Sequence, residues 1–214
     1  MMRKVYRPES TPRPSTWIGR HFETIQWLES YFAQKKPLRT VKALVVGFGG
    51  GKEGEDESTH IQHLEAALLL HRTNCPFRLV AMDPNPEAVA MAKKALAEGV
   101  ITFEHKRPPA SLFSGREYDR RVQLESYLAK VSGMPEPLTD TIRIPLPPNV
   151  QKNVRIQGPK MAGDIMKEGA PRNNDLVFCT NLSQYFSQKT QPHLAARLFH
   201  ATGPGGCLSS KVRI

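Results

Sequence analysis

The segment that most narrows the folds open to this chain is VKALVVGFGGGKEGEDES, residues 41–58, where a short apolar run meets a cluster of glycines. A strand covered by other layers on both faces reads as a continuous apolar run rather than an alternating one, which is how VKALVV reads. After the glycines, Ser58 can cap a helix that continues through IQHLEAALLLHR to about Arg72. FRLVAMD then repeats the buried-strand pattern. In PNPEAVAMAKKALAEG, Pro86 falls in the first turn of a further helix and Gly99 at its C-terminal stop. This order of strand, glycine turn, helix and strand predicts an α/β fold with a doubly wound, mostly parallel sheet of Rossmann-like type.

The rest of the chain is read around that unit. In HFETIQWLESYF, Phe22, Ile25, Leu28, Tyr31 and Phe32 stand at helical spacing, and KKPLRT breaks the helix. Residues 102–153 lose the alternation: an RPP break, a helical REYDRRVQLESYLAKV and a proline-rich MPEPLTDTIRIPLPPN read as an insertion. A third strand is expected in VRIQGPKMAGD, a fourth in DLVFCT from Asp175, a helix over about 190–202, and a glycine turn plus strand in GPGGCLSSKV. The organisation expected is an N-terminal extension at 1–15 and one domain at 16–214 that contains the insertion.

The glycines can be tested against known ligand chemistries. A phosphate-binding loop of the form GxxxxGK[ST] fails, because Val46 stands five residues before Gly51 and Glu53 follows Lys52. A dinucleotide GxGxxG begun at Gly47 and Gly49 meets Lys52 where its third glycine should pack helix on strand. Glu53, Glu55, Asp56 and Glu57 also crowd the helix start, where a pyrophosphate would be repelled. A cationic ligand suits them better, and S-adenosylmethionine carries both a sulfonium and an ammonium; the plainer reading is that these acids complement the helix dipole on a solvated turn. Asp83 ends the second strand, where a carboxylate can accept the two ribose hydroxyls of an adenosine ligand, or can serve as an N-cap or Asx turn before Pro84. Asp164, after the third strand, is placed to hold an adenine amino group or to occupy a surface turn.

Charge and cysteine usage bound the partners. A formal net charge of +10 and a sequence pI near 9.7 favour an anionic partner, although the basic residues are scattered without an interleaved aromatic motif. Cys75, Cys179 and Cys207 are odd in number and lack CxxC spacing, so buried thiols are expected rather than disulfides or zinc ligands. His60 and His63 in HIQH can meet on a helix, but without a second ligand pair they read as a solvated face rather than a metal site. No apolar run approaches the roughly 20 residues of a membrane helix, and MMRKVYRPES lacks a signal-peptide core, so a cytoplasmic protein is expected.

At NDLVFCTNLSQYFSQKTQPHLAARLFHATGPGG the chain resembles the CheR-type chemotaxis receptor methyltransferases, whose FCRNV-IYF strand and loop precede a helix and a PGG turn. Here stand Phe178, Cys179, Thr180, Asn181, Tyr185 and Phe186, then Pro204, Gly205 and Gly206. Upstream, GKEGEDES is similar to the family's TGEE turn, AMDPNPEAVAMAKKALAEGV to its SDID segment, and STWIGRHF to its T-FFR--HF segment. The resemblance implies an S-adenosylmethionine-dependent methyltransferase acting on a protein carboxylate. It implies that Thr16 and Glu55 contact the amino acid part of the cofactor and that Asp83 holds the ribose, beside the close backbone approach that Gly47 and Gly49 allow. Asn181 would lie where methyl is transferred, and Arg20 and Tyr185 would border the acceptor. Thr180 replaces the family's arginine. The expected acceptor is a protein with an acidic surface; the alternatives are a cofactor-binding regulatory module without methyl transfer, and a nucleic-acid methyltransferase.

Overall fold

A computed structural model describes residues 22–48, 62–104, 141–159, 171–179 and 187–210. Its main sheet has five parallel strands: β1 (Val41–Val46), β2 (Phe77–Met82), β5 (Val154–Gln157), β6 (Asn174–Cys179) and β7 (Thr202–Ser210). They lie in the order β5-β2-β1-β6-β7. The chain therefore builds outward from β1 in one direction, returns, and builds outward in the other. The helices of the two halves pack on opposite faces of the sheet.

On the first face lie α1 (Phe22–Lys35), α2 (Gln62–Arg72) and α3 (Pro86–Glu98). Val41, Ala43 and Val45 of β1 join Ile25, Leu28 and Phe32 of α1, Leu64 and Leu68 of α2, and Ala88 and Ala92 of α3 in one core. Leu44 and Val46 point to the opposite face, where they pack with Met82, Val177 and Cys179 against Leu194 and Leu198 of α5 (Gln191–Ala201). Burial on both sides of β1 is the reason its sequence shows a continuous apolar run. The α3 boundaries follow the local signals: Asn85 caps it by accepting from the Glu87 amide at 2.9 Å, and Gly99 closes it with φ 68°.

Between α3 and β5 the chain forms a separate antiparallel pair, β3 (Val100–Glu104) and β4 (Thr141–Pro145), followed by the short helix α4 (Pro148–Asn153). The described parts of the expected insertion are thus a hairpin base and a helix. The base is tied in: Leu146 N donates to Gly99 O at 2.8 Å, and Leu146 and Val150 enter the main core.

Two expectations need correction. The helix carrying His63 is not a solvated face: every residue from His63 to Leu70 is buried, because α2 is covered by the sheet on one side and by α1 on another. The glycines at 203–206 do not form a turn ahead of the last strand. Strand β7 begins directly after α5 and runs through them, and a Cβ on Gly206 would lie 2.7 Å from Asn174 O. Register passes from Asn174↔Thr202 to Leu176↔Cys207, so β7 bulges as it crosses β6. Close backbone approach requires glycine at 206, and a left-handed φ of 71° favours it at 205. Cys75 and Cys179 are buried and Cys207 is half-buried.

Candidate functional site

In an open parallel sheet, ligands bind beyond the carboxyl ends of the strands at the point where strand order reverses. Here that point lies between β1 and β6, and β2 flanks β1 on its other side. Val46 and Met82 are in register at the ends of β1 and β2, and the Gly47 amide donates to Met82 O at 2.8 Å. Gly47 takes φ 72°, a left-handed conformation that turns the chain off the sheet and suits a residue without Cβ.

Phe48 then turns inward. It is fully buried, with its ring centroid 4.4 Å from that of His63 on α2. The glycine turn therefore leaves the strand over an aromatic anchor seated on the next helix.

Asp83 directly follows β2 and is only 4% exposed. Its Oδ1 accepts from the Asn85 amide at 2.8 Å, which is the Asx turn expected before Pro84, while the capping of α3 falls to Asn85. The two readings of Asp83 are compatible, since a carboxylate has about four acceptor positions. What this arrangement can do is accept hydrogen bonds from a pair of ligand hydroxyls, beside a backbone turn that a ligand can approach closely.

Of the residues picked out in the sequence, Gly47 and Asp83 are brought together on adjacent strand ends. Thr16, Arg20, Gly49, Glu55, Asp164, Asn181 and Tyr185 lie outside the described residues, as do His60 and Phe186. Sequence reasoning missed Phe48 and the buried Glu65, and read His63 as solvated although it is buried. The signal for His63 was present: Ala66, Ala67 and Leu70 stand three, four and seven residues on, the spacing of one helical face.

Among the described residues no group of three or more His, Cys, Asp or Glu is placed to hold a metal ion. No helix among them is long and apolar enough to cross a membrane. No protein-family model matches the chain, and no curated protein sequence aligns with it significantly.

Proposed function

We propose that the chain binds S-adenosylmethionine at the carboxyl ends of β1 and β2 and transfers its methyl group to a carboxylate of a protein acceptor. The observation that carries the reading is the buried carboxylate of Asp83 beside the Gly47 turn. In it, Asp83 accepts the ribose hydroxyls and Gly47 allows the backbone to approach the amino acid part of the cofactor. The acids of the following segment, Glu55 among them, supply negative charge for the sulfonium and ammonium. A phosphate-bearing ligand would meet repulsion from the same charges.

The chemistry asks little of the protein beyond placement. An acceptor carboxylate is already ionised at neutral pH, so no general base is required. Alignment of the attacking oxygen with the methyl group, and exclusion of water, supply the rate. Asn181, Tyr185 and Arg20 are the residues assigned to that alignment by the resemblance to CheR-type enzymes. Thr180, in place of that family's arginine, favours a second reading in which the chain binds the cofactor and regulates a partner without transferring methyl.

Calorimetric titration with S-adenosylhomocysteine, followed by methyl transfer from labelled S-adenosylmethionine to acidic protein acceptors, separates the readings. Binding with transfer supports the enzyme, and binding without transfer supports the regulatory module. Absence of binding overturns both.

A further inference from the structure

Helix α1 carries an aromatic and cationic stripe whose ends, Trp27 and Lys35, are exposed and whose middle member, Tyr31, is half-buried against the core. Trp27, Tyr31 and Lys35 stand at successive four-residue spacings, so they lie along one side of the helix. The Trp27 and Tyr31 rings stack with centroids 5.4 Å apart and planes 21° apart. Lys35 Nζ lies 5.3 Å from the Tyr31 centroid, and Lys35 is exposed. Trp27 is 58% exposed, an unusual setting for a large aromatic ring.

The inner side of the same helix is anchored by the buried Ile25, Leu28 and Phe32, which leaves Trp27 and Lys35 outside the core. Glu29 is turned away to Arg72, with Oε1 accepting from Nε at 3.2 Å. The stripe is also held in place. Tyr31 packs edge-on against the buried Phe32 at 5.3 Å, and its hydroxyl reaches toward Gly205 O of β7 at 3.5 Å.

We propose that this stripe is a docking surface for single-stranded nucleic acid. A pre-stacked Trp–Tyr pair offers an open π-face on which an unpaired base can continue the stack, and every base has such a face. Lys35 at the end of the stack supplies a cation for the adjoining phosphate, and Lys36 follows it, also exposed. The formal net charge of +10 draws a polyanion to the chain as a whole. A duplex hides the base faces that the rings would engage, whereas an unpaired base meets both the ring face and, through its phosphate, the cation beside it. This surface lies on α1 and is independent of the cofactor reading.

The test is fluorescence anisotropy of a labelled oligouridylate with the full chain at low salt, beside a duplex of equal length. Single-strand binding should exceed duplex binding. Trp27→Ala should weaken it at least fivefold, while Trp27→Phe, which keeps a stacking face, should retain most of the affinity. Lys35→Gln should reduce the slope of log affinity on log salt by about 0.7. Phe199→Ala, at a 70% exposed ring on α5 across the sheet, should leave affinity unchanged. Circular dichroism melting should show that all four variants fold as the parent does. No binding by the parent chain, equal affinity of Trp27→Ala and parent, preference for the duplex, or equal loss in Phe199→Ala would each overturn the proposal. So would sedimentation showing a dimer that Trp27→Ala dissolves, because the stripe would then be a contact between copies of the chain.

Discussion

The amide of Gly47 and the carbonyl of Met82 are joined at 2.8 Å across the ends of β1 and β2, one step past the last in-register pair. This bond ties the glycine turn to the residue that immediately precedes Asp83. Where the turn goes, the carboxylate has a fixed neighbour. The φ of 72° at Gly47 is the conformation that lets the chain make this bond and then seat Phe48 inward.

Gly47→Ala is therefore expected to destabilise the fold by roughly 1–2 kcal/mol, the cost of holding an L-residue in the left-handed region. For a chain of this size that corresponds to a fall in Tm of about 2–8 °C. Gly47→Asn, which tolerates that region better, should lose less. Thermal melts of the two variants check it; equal losses would show that space beside the turn, rather than backbone conformation, governs the position.

At the other end of the sheet, Asp175 accepts from Arg39 Nη1 at 3.1 Å and from the Lys42 amide at 2.9 Å, joining the starts of β1 and β6. Arg39 is largely exposed, with two-thirds of its side chain open to solvent, so Arg39→Ala should cost under about 1 kcal/mol. Asp175→Ala also deprives the Lys42 amide of its acceptor and should cost about 1–3 kcal/mol. Urea denaturation of both variants tests the order. Equal costs would mean that the amide bond contributes little.

Glu104 and Thr141 pair directly at the end of the β3–β4 ladder. Replacing residues 105–140 by Asn-Gly, a two-residue turn whose twist matches a hairpin, should leave the main fold and cofactor binding intact. If those residues recognise the methyl acceptor, transfer should be lost in the same variant. Calorimetry and a transfer assay on one preparation decide it. Unchanged transfer would remove this segment from the acceptor site, and failure to fold would show that it supports the core.

Much of this architecture was legible in the sequence because its signals are local. The continuous apolar runs of β1 and β2 announce strands covered on both faces, and Asn85, Pro86 and Gly99 bracket α3 with capping chemistry. The β3–β4 pair was not legible, since its strands are short and their partners are separated by residues 105–140. The glycines of β7 misled for a physical reason: glycine marks a turn by its backbone freedom, but here it also admits the Asn174 carbonyl. His63 misled because a histidine reads as polar, although Ala66, Ala67 and Leu70 share its helical face and the whole of 63–70 is buried between the sheet and α1. At the site, Gly47 and Asp83 were legible as a strand-end glycine and a strand-end acid. Their anchoring partners, Phe48 and His63, depend on packing between distant segments.

The central claim rests on the charge of Asp83, and Asp83→Asn addresses it most directly. Asparagine keeps a side-chain oxygen for the Asn85 amide, so the Asx turn and the melting temperature should be preserved while the ionised acceptor is lost. Titrating parent and variant with S-adenosylhomocysteine by calorimetry should show binding by the parent and at least tenfold weaker binding by Asp83→Asn, in line with roughly 1.5–3 kcal/mol for a charged hydrogen bond. A parent chain that does not bind, or a folded Asp83→Asn that binds as tightly as the parent, would contradict the account.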